Sequence, residues 1–203
     1  MDTLKQATSE QHHDAERRQL QQQMVTGKIT PATYTAWLGQ MYLVHEALTR
    51  EIATHSAAQA PLADVVRDGG IHVTNIRADL TALGAGTAEV KPLPATARAI
   101  AELRNTAAAD PLALLGTNYV LEGSMNGNKY IAKALVRALP APAIAYLDPY
   151  GDDQRSIWAA YRERMNALVL DEAVAARIVA SARQMFESIS AMSDELIAPP
   201  AEA

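Results

Sequence analysis

Apolar residues recur at helical spacing along most of the chain, and no stretch alternates as a strand would. The clearest stripe is Tyr34, Trp37, Leu38, Met41, Tyr42, His45, Leu48 and Ile52. It predicts a helix opened by Thr30-Pro31, a capping residue followed by proline at the first helical position, and frayed by Ala57–Pro61. Ahead of it, an Asp2 or Thr3 cap predicts a first helix running toward Met24, with Gly27 as its stop. Shorter helices are expected at Leu62–Arg67 and at Asn75–Leu83, the latter ending at Gly84. The two glycines and two prolines of Gly84–Pro94 mark a loop. Helix resumes at Ala95–Ala108. Pro140–Gly151 should lack regular structure, Asp152 should begin a helix through Leu168, and Asp171 should cap a last helix reaching about Leu196. The pattern implies one all-α helical domain over residues 1–197, followed by a disordered tail at 198–203.

One predicted helix departs from ordinary chemistry. Leu114–Leu139, introduced by Asp110-Pro111, contains no proline but carries Gly116, Gly123 and Gly127. A mid-helix glycine costs about 1 kcal/mol relative to alanine, so three of them need a reason. Their spacing returns them near one face, where a flat body could meet bare backbone. Ser124, Asn126 and Asn128 stand around that face as small hydrogen-bonding groups. Close helix packing, or a kink at Gly123–Ser124, would account for the same glycines.

Composition narrows the function. Apolar residues make up 49% of the chain, enough for a sizeable core. A net charge of −5 gives no basic footprint for nucleic acid. The absence of cysteine removes disulfides, thiolate metal sites and cysteine nucleophiles. No apolar run approaches the ~20 residues of a membrane span, and the polar amino terminus does not read as a signal peptide. A cytoplasmic protein is expected.

All five histidines, His12, His13, His45, His55 and His72, precede the glycine-bearing helix. On a helix whose inner face is set by Leu4, His13 points away and His12 lies beside Thr8 and Ala15. Glu16, one turn on, can orient an imidazole whose other nitrogen holds a metal. A solvated histidine pair with an ordinary ion pair is the alternative. His45 sits on an apolar stripe and is expected to be a satisfied core residue, whereas His55 and His72 are expected at the surface. Glu10 and His13 form a Glu-x-x-His spacing, but a di-iron bundle needs a second such motif and none follows. Walker, dinucleotide and His-Glu-x-x-His signatures are absent.

An inward histidine near the start and a glycine-faced helix near the middle are what a haem sandwich requires. Leu4–Glu16 (LKQATSEQHHDAE) and Tyr119–Leu135 (YVLEGSMNGNKYIAKAL) resemble the haem (heme) oxygenase family, as do Tyr161–Leu168 and Asp171–Ile189. The EGS triplet, with Pro149–Arg162, is most similar to the bacterial branch found alongside bacteriophytochromes. The resemblance implies haem b, both substrate and cofactor, between the first helix and a kinked distal helix. It further implies ring opening to biliverdin, carbon monoxide and ferrous iron with O2 and external electrons. His12 would be the proximal iron ligand and Glu16 its orienting partner. Gly123 and Gly127 would belong to the helix over the haem, with Ser124 and Asn128 beside the bound oxygen. Lys5 and Arg162 would hold the propionates, Phe186 would form pocket wall, and Asn166 would lie near it. A ferredoxin, flavoprotein or similar reductase would supply electrons, and a bacteriophytochrome could receive the biliverdin.

The chain also departs from the family pattern. The best-known members place an aspartate after the first distal glycine, where this chain has Ser124, and a second glycine where it has Asn128. A basic residue one turn before Arg162 is replaced by Trp158, and another on the first helix by Ser9. These changes keep open an alternative, a haem-binding or haem-sensing protein of the same fold without turnover.

Overall fold

The computed structural model describes residues 1–67, 70–139 and 143–198, and among them every regular element is helical. Ten α-helices follow in order: α1 Asp2–Ala7, α2 Ser9–Glu16, α3 Gln19–Val25, α4 Pro31–Ser56, α5 Ala60–Val65, α6 Ile71–Ala82, α7 Pro94–Ala109, α8 Leu114–Leu135, α9 Gln154–Ala167 and α10 Glu172–Ile197. Single 3-10 turns at Pro111–Ala113 and Gly151–Asp153 lead into α8 and α9. The expected tail at 198–203 falls, apart from Ala198, outside the described residues.

Three expected caps form. The Thr30 hydroxyl accepts from the Thr33 amide, Asp110 accepts from Leu112, and Asp171 accepts from Val174. Each satisfies an amide that the first helical turn leaves without a partner.

The amino-terminal segment is three helices rather than one, and Met1 rather than Asp2 or Thr3 occupies its N-cap position, without a side-chain capping bond. The Thr8 hydroxyl bonds back to the Leu4 carbonyl at 2.9 Å where α1 gives way to α2. Arg18 is extended at φ −61°, ψ 143°, and separates α2 from α3. The second break has a packing cause. Leu4, Thr8 and Ala15 share one buried face, but Leu20 and Met24 would fall well off it if the helix continued. Interrupting the chain returns both to the core.

Two other boundaries move. Helix α6 starts at Ile71 rather than Asn75, directly after Gly70, whose φ of +80° favours glycine. Helix α8 ends at Leu135, and the next residues turn so that Leu139 is buried while Val136 is exposed.

Helices α8 and α10 form the broadest helix contact, with α4 beside them. Helix α7 packs on α4 and α10, α6 on α4, and α9 on α8. Gly116 explains how close α8 and α10 come. A Cβ built there would stand 2.0 Å from the Ile178 carbonyl oxygen and 2.8 Å from the Ala182 amide nitrogen. The adjacent Thr117 and Ser181 hydroxyls bond at 2.9 Å. Close helix packing is therefore the reason for this glycine, and it leaves the set expected to form a bare face.

The segment after α8 is irregular yet pinned. Asp79 accepts from the Ala145 and Tyr146 amides, at 2.9 and 2.8 Å, and the Tyr34 hydroxyl donates to the Ala143 carbonyl at 2.9 Å. These bonds hold Tyr146 in the core, where its hydroxyl meets His45 Nε2 at 2.9 Å.

Candidate functional site

Helix α2 presents His12, His13 and Glu16 on one exposed patch. His12 Nδ1 lies 3.6 Å from Glu16 Oε2, and His13 Nδ1 lies 3.5 Å from the same oxygen. The side chains of His12, His13 and Glu16 are 51%, 67% and 59% exposed, so all three can be reached from solvent. His12 is nevertheless oriented. Its ring meets the buried Phe186 of α10 edge-on, with centroids 5.5 Å apart and planes at 90°. Arg183 of α10 donates to the Ala7 carbonyl at 2.8 Å and anchors the segment before His12.

Helix α8 supplies a second wall in which the remaining glycines differ. Nothing lies within 4 Å of a Cβ added at Gly127. At Gly123 the added atom would lie 3.2 Å from the Trp158 ring. Trp158 stacks on Tyr161 with centroids 5.3 Å apart and planes at 10°, and it tilts against Tyr119 at 5.9 Å. The face expected to be bare is open at Gly127 and covered by indole at Gly123.

The two walls approach through Tyr119. Burial raises the pKa of its phenol, opposed by the nearby Thr8 hydroxyl and by the charge of Arg162. Thr8 lies one turn before His12, so this aromatic side chain reaches from the glycine-bearing helix toward the histidine-bearing one. Arg162 is exposed and, among the described residues, makes no ion pair. Lys5 is exposed in the last turn of α1. Asn166 accepts a 2.8 Å bond from the Met1 amino group.

The polar groups beside Gly127 bind their own helix. Ser124 donates to the Leu121 carbonyl at 2.8 Å, and Asn126 donates to the Gly123 carbonyl at 3.0 Å. Asn128 approaches the Met125 sulfur at 3.7 Å, and Gln154 donates to Asn126 Oδ1 at 3.4 Å. Ser124 thus spends its proton on the backbone and offers an outside partner only lone pairs.

The other side of α8 carries a polar group that the sequence did not reveal. His72, expected at the surface, is 2% exposed. Its Nε2 lies 2.9 Å from Glu122 Oε2, to which the Tyr150 hydroxyl donates at 3.2 Å. The His45 ring lies tilted against that of His72, with centroids 5.0 Å apart, and bonds Tyr146. Burial, aided by the neighbouring His72, lowers the pKa of His45 well below the ordinary histidine value and keeps it neutral. His45 is thus the satisfied core residue expected. A cavity of about 310 Å³ beside these groups is lined by Leu48, Ile52, Val66, Asn118, His72 and Glu122. No periodicity separates His72 from a surface histidine, because its partner lies on another helix. His55 is partly exposed and 3.7 Å from Glu51.

The heme oxygenase family model matches residues 1–195. Heme oxygenase 1 of Pongo abelii is 26% identical over 194 residues, covering 91% of this chain and 67% of its own. The crystal structure of heme oxygenase-1 from the cyanobacterium Synechocystis in complex with heme superposes with a TM-score of 0.84 at 25% identity, covering 97% of this chain and 91% of that one. Heme oxygenase of Leptospira interrogans gives 0.86 at 22% identity, covering 95% and 97%. No described helix is long and apolar enough to cross a membrane.

Proposed function

The chain belongs to the heme oxygenase family, and from that premise we propose that it is a haem oxygenase that opens haem b to biliverdin, carbon monoxide and ferrous iron. The supporting observations are an accessible His12 oriented by Phe186 on α2 and the open backbone at Gly127 on α8. The residues fit the group. His12 offers a nitrogen held in place by Phe186, and a Cβ at Gly127 would fill the space that a flat ring needs. Bound haem would supply both the iron that activates dioxygen and the ring that is opened.

The residues divide the remaining work. His12 Nε2 would hold the iron, and Glu16, whose carboxylate oxygen lies 3.6 Å from Nδ1, would accept the Nδ1 proton on closing that gap, fixing the tautomer and making the ring a better donor. The α8 backbone at Gly127 and Gly123 limits which ring edge can be reached. Ser124 and Asn128 hold water on the distal side, Ser124 as an acceptor because its proton is already committed. Lys5 and Arg162, both exposed, would neutralise the propionates at the exposed edge. Phe186 and Asn166 close the edge beside His12. Electrons come from an external reductase of the ferredoxin or flavoprotein class, and a bacteriophytochrome receives the biliverdin. Uptake requires the Trp158 indole to share or leave the face over Gly123.

Two observations favour a second reading. Trp158 covers Gly123, and Ser124 binds its own helix, as suits a haem sensor without turnover. Hemin titration followed by ascorbate in air separates the two. Conversion of the bound spectrum to that of biliverdin supports the oxygenase, and a stable spectrum supports the sensor.

A further inference from the structure

We propose that His12, His13 and Glu16 form a binding site for a divalent transition-metal ion outside any porphyrin, and that this ion and haem exclude one another. Three ligand atoms converge on α2. His12 Nδ1 and His13 Nδ1 lie 3.6 and 3.5 Å from one oxygen of Glu16, and the three residues bring one ligand atom each to within 4.8 Å of one another. An ion with bonds of about 2.0–2.2 Å to nitrogen and oxygen holds its ligands roughly 3–3.5 Å apart. Only small side-chain adjustments are needed to reach that geometry.

The arrangement follows from the helix. His12 and His13 diverge by about 100°, and Glu16, four residues after one and three after the other, falls between them. The His12 ring is held edge-on by Phe186, so part of the ordering cost is met before an ion arrives. His13 has no role in the haem reading, yet its ring turns the same nitrogen toward the same carboxylate. Two imidazoles and one carboxylate, with the remaining positions open to water, select zinc, nickel, copper or ferrous iron over calcium and magnesium.

Exclusion follows from shared atoms and rests on the proposed function. To hold haem iron through Nε2, His12 needs its Nδ1 proton and the Glu16 acceptor. A divalent ion takes both the Nδ1 lone pair and the carboxylate. One chain cannot do both, so an ion at this site blocks haem loading, and ferrous iron leaving the reaction can occupy it.

Zinc titration of tag-free, metal-free protein, followed calorimetrically, tests the site. The expected result is one zinc per chain, bound at least tenfold more weakly by His13→Ala and by Glu16→Gln. His13→Ala should take up hemin as the unaltered protein does. Stoichiometric zinc should slow hemin uptake by the unaltered protein and leave His13→Ala unaffected. Undiminished zinc binding by His13→Ala overturns the site, and unchanged hemin uptake by zinc-loaded protein overturns the exclusion. If metal-free protein fails to bind hemin while His13-dependent zinc binding persists, the haem reading and the exclusion fall and the metal site stands. If hemin binds but zinc does not, the metal site and the exclusion fall and the haem reading stands.

Discussion

His72 Nε2 lies 2.9 Å from Glu122 Oε2, and the two side chains are only 3% and 6% exposed. The pair ties α6 to the back of the glycine-bearing helix, with Tyr150 completing the carboxylate's bonding. Removing one partner from such a pair leaves a buried group without compensation. Glu122→Ala should therefore cost about 3–5 kcal/mol in urea unfolding. Replacing His72 and Glu122 together with apolar residues of similar size should recover most of that loss. Two losses that simply add would contradict direct coupling.

Gly116 and Gly127 lie on one helix and should answer alanine in opposite ways. Gly116→Ala forces α8 away from the α10 backbone and should destabilise by about 3 kcal/mol or more. Gly127→Ala meets open space and should stabilise the haem-free protein by roughly 0.5–1 kcal/mol through helix propensity. The same Gly127 change should weaken hemin binding. Thermal unfolding and hemin titration of both variants check the contrast.

His45 makes stability depend on pH with a defined sign. Its folded pKa is lowered by burial, then by His72, so the unfolded chain binds the extra proton near the ordinary value of about 6.5. Stability is fully present above that value and is lost as pH falls through and below it, by up to about 1.4 kcal/mol per pH unit. His45→Gln should flatten the pH 7.5–5 profile relative to the unaltered protein, as measured by urea unfolding.

Trp158 should report haem arrival. The chain has two tryptophans, and Trp37 is buried against Tyr34 and Tyr146, away from α9. Hemin should quench Trp158 emission most strongly, so Trp158→Phe should lose the largest part of the fluorescence change. Trp158→Ala, by uncovering Gly123, should speed hemin uptake.

The sequence was most legible where one local pattern decides the outcome. The caps at Thr30, Asp110 and Asp171 required only nearby residues, and the Tyr34–Ile52 stripe determined α4. The amino terminus was misread as one helix because the break at Arg18 serves the distant burial of Leu20 and Met24. At the candidate site, helical spacing placed His12 beside Glu16 and identified the glycine helix. It could not distinguish Gly116, packed on the α10 backbone, from Gly123 under Trp158 and Gly127 in the open. The burial of His72 was equally hidden, since its partner lies fifty residues away.

Absorption titration with hemin of the unaltered protein, His12→Ala and His13→Ala, followed by ascorbate under air, tests the central claim most directly. The account predicts a one-to-one Soret band that survives His13→Ala, is lost or strongly altered in His12→Ala, and decays to biliverdin absorption in the unaltered protein. A Soret band indifferent to His12, or no hemin binding at all, would contradict it.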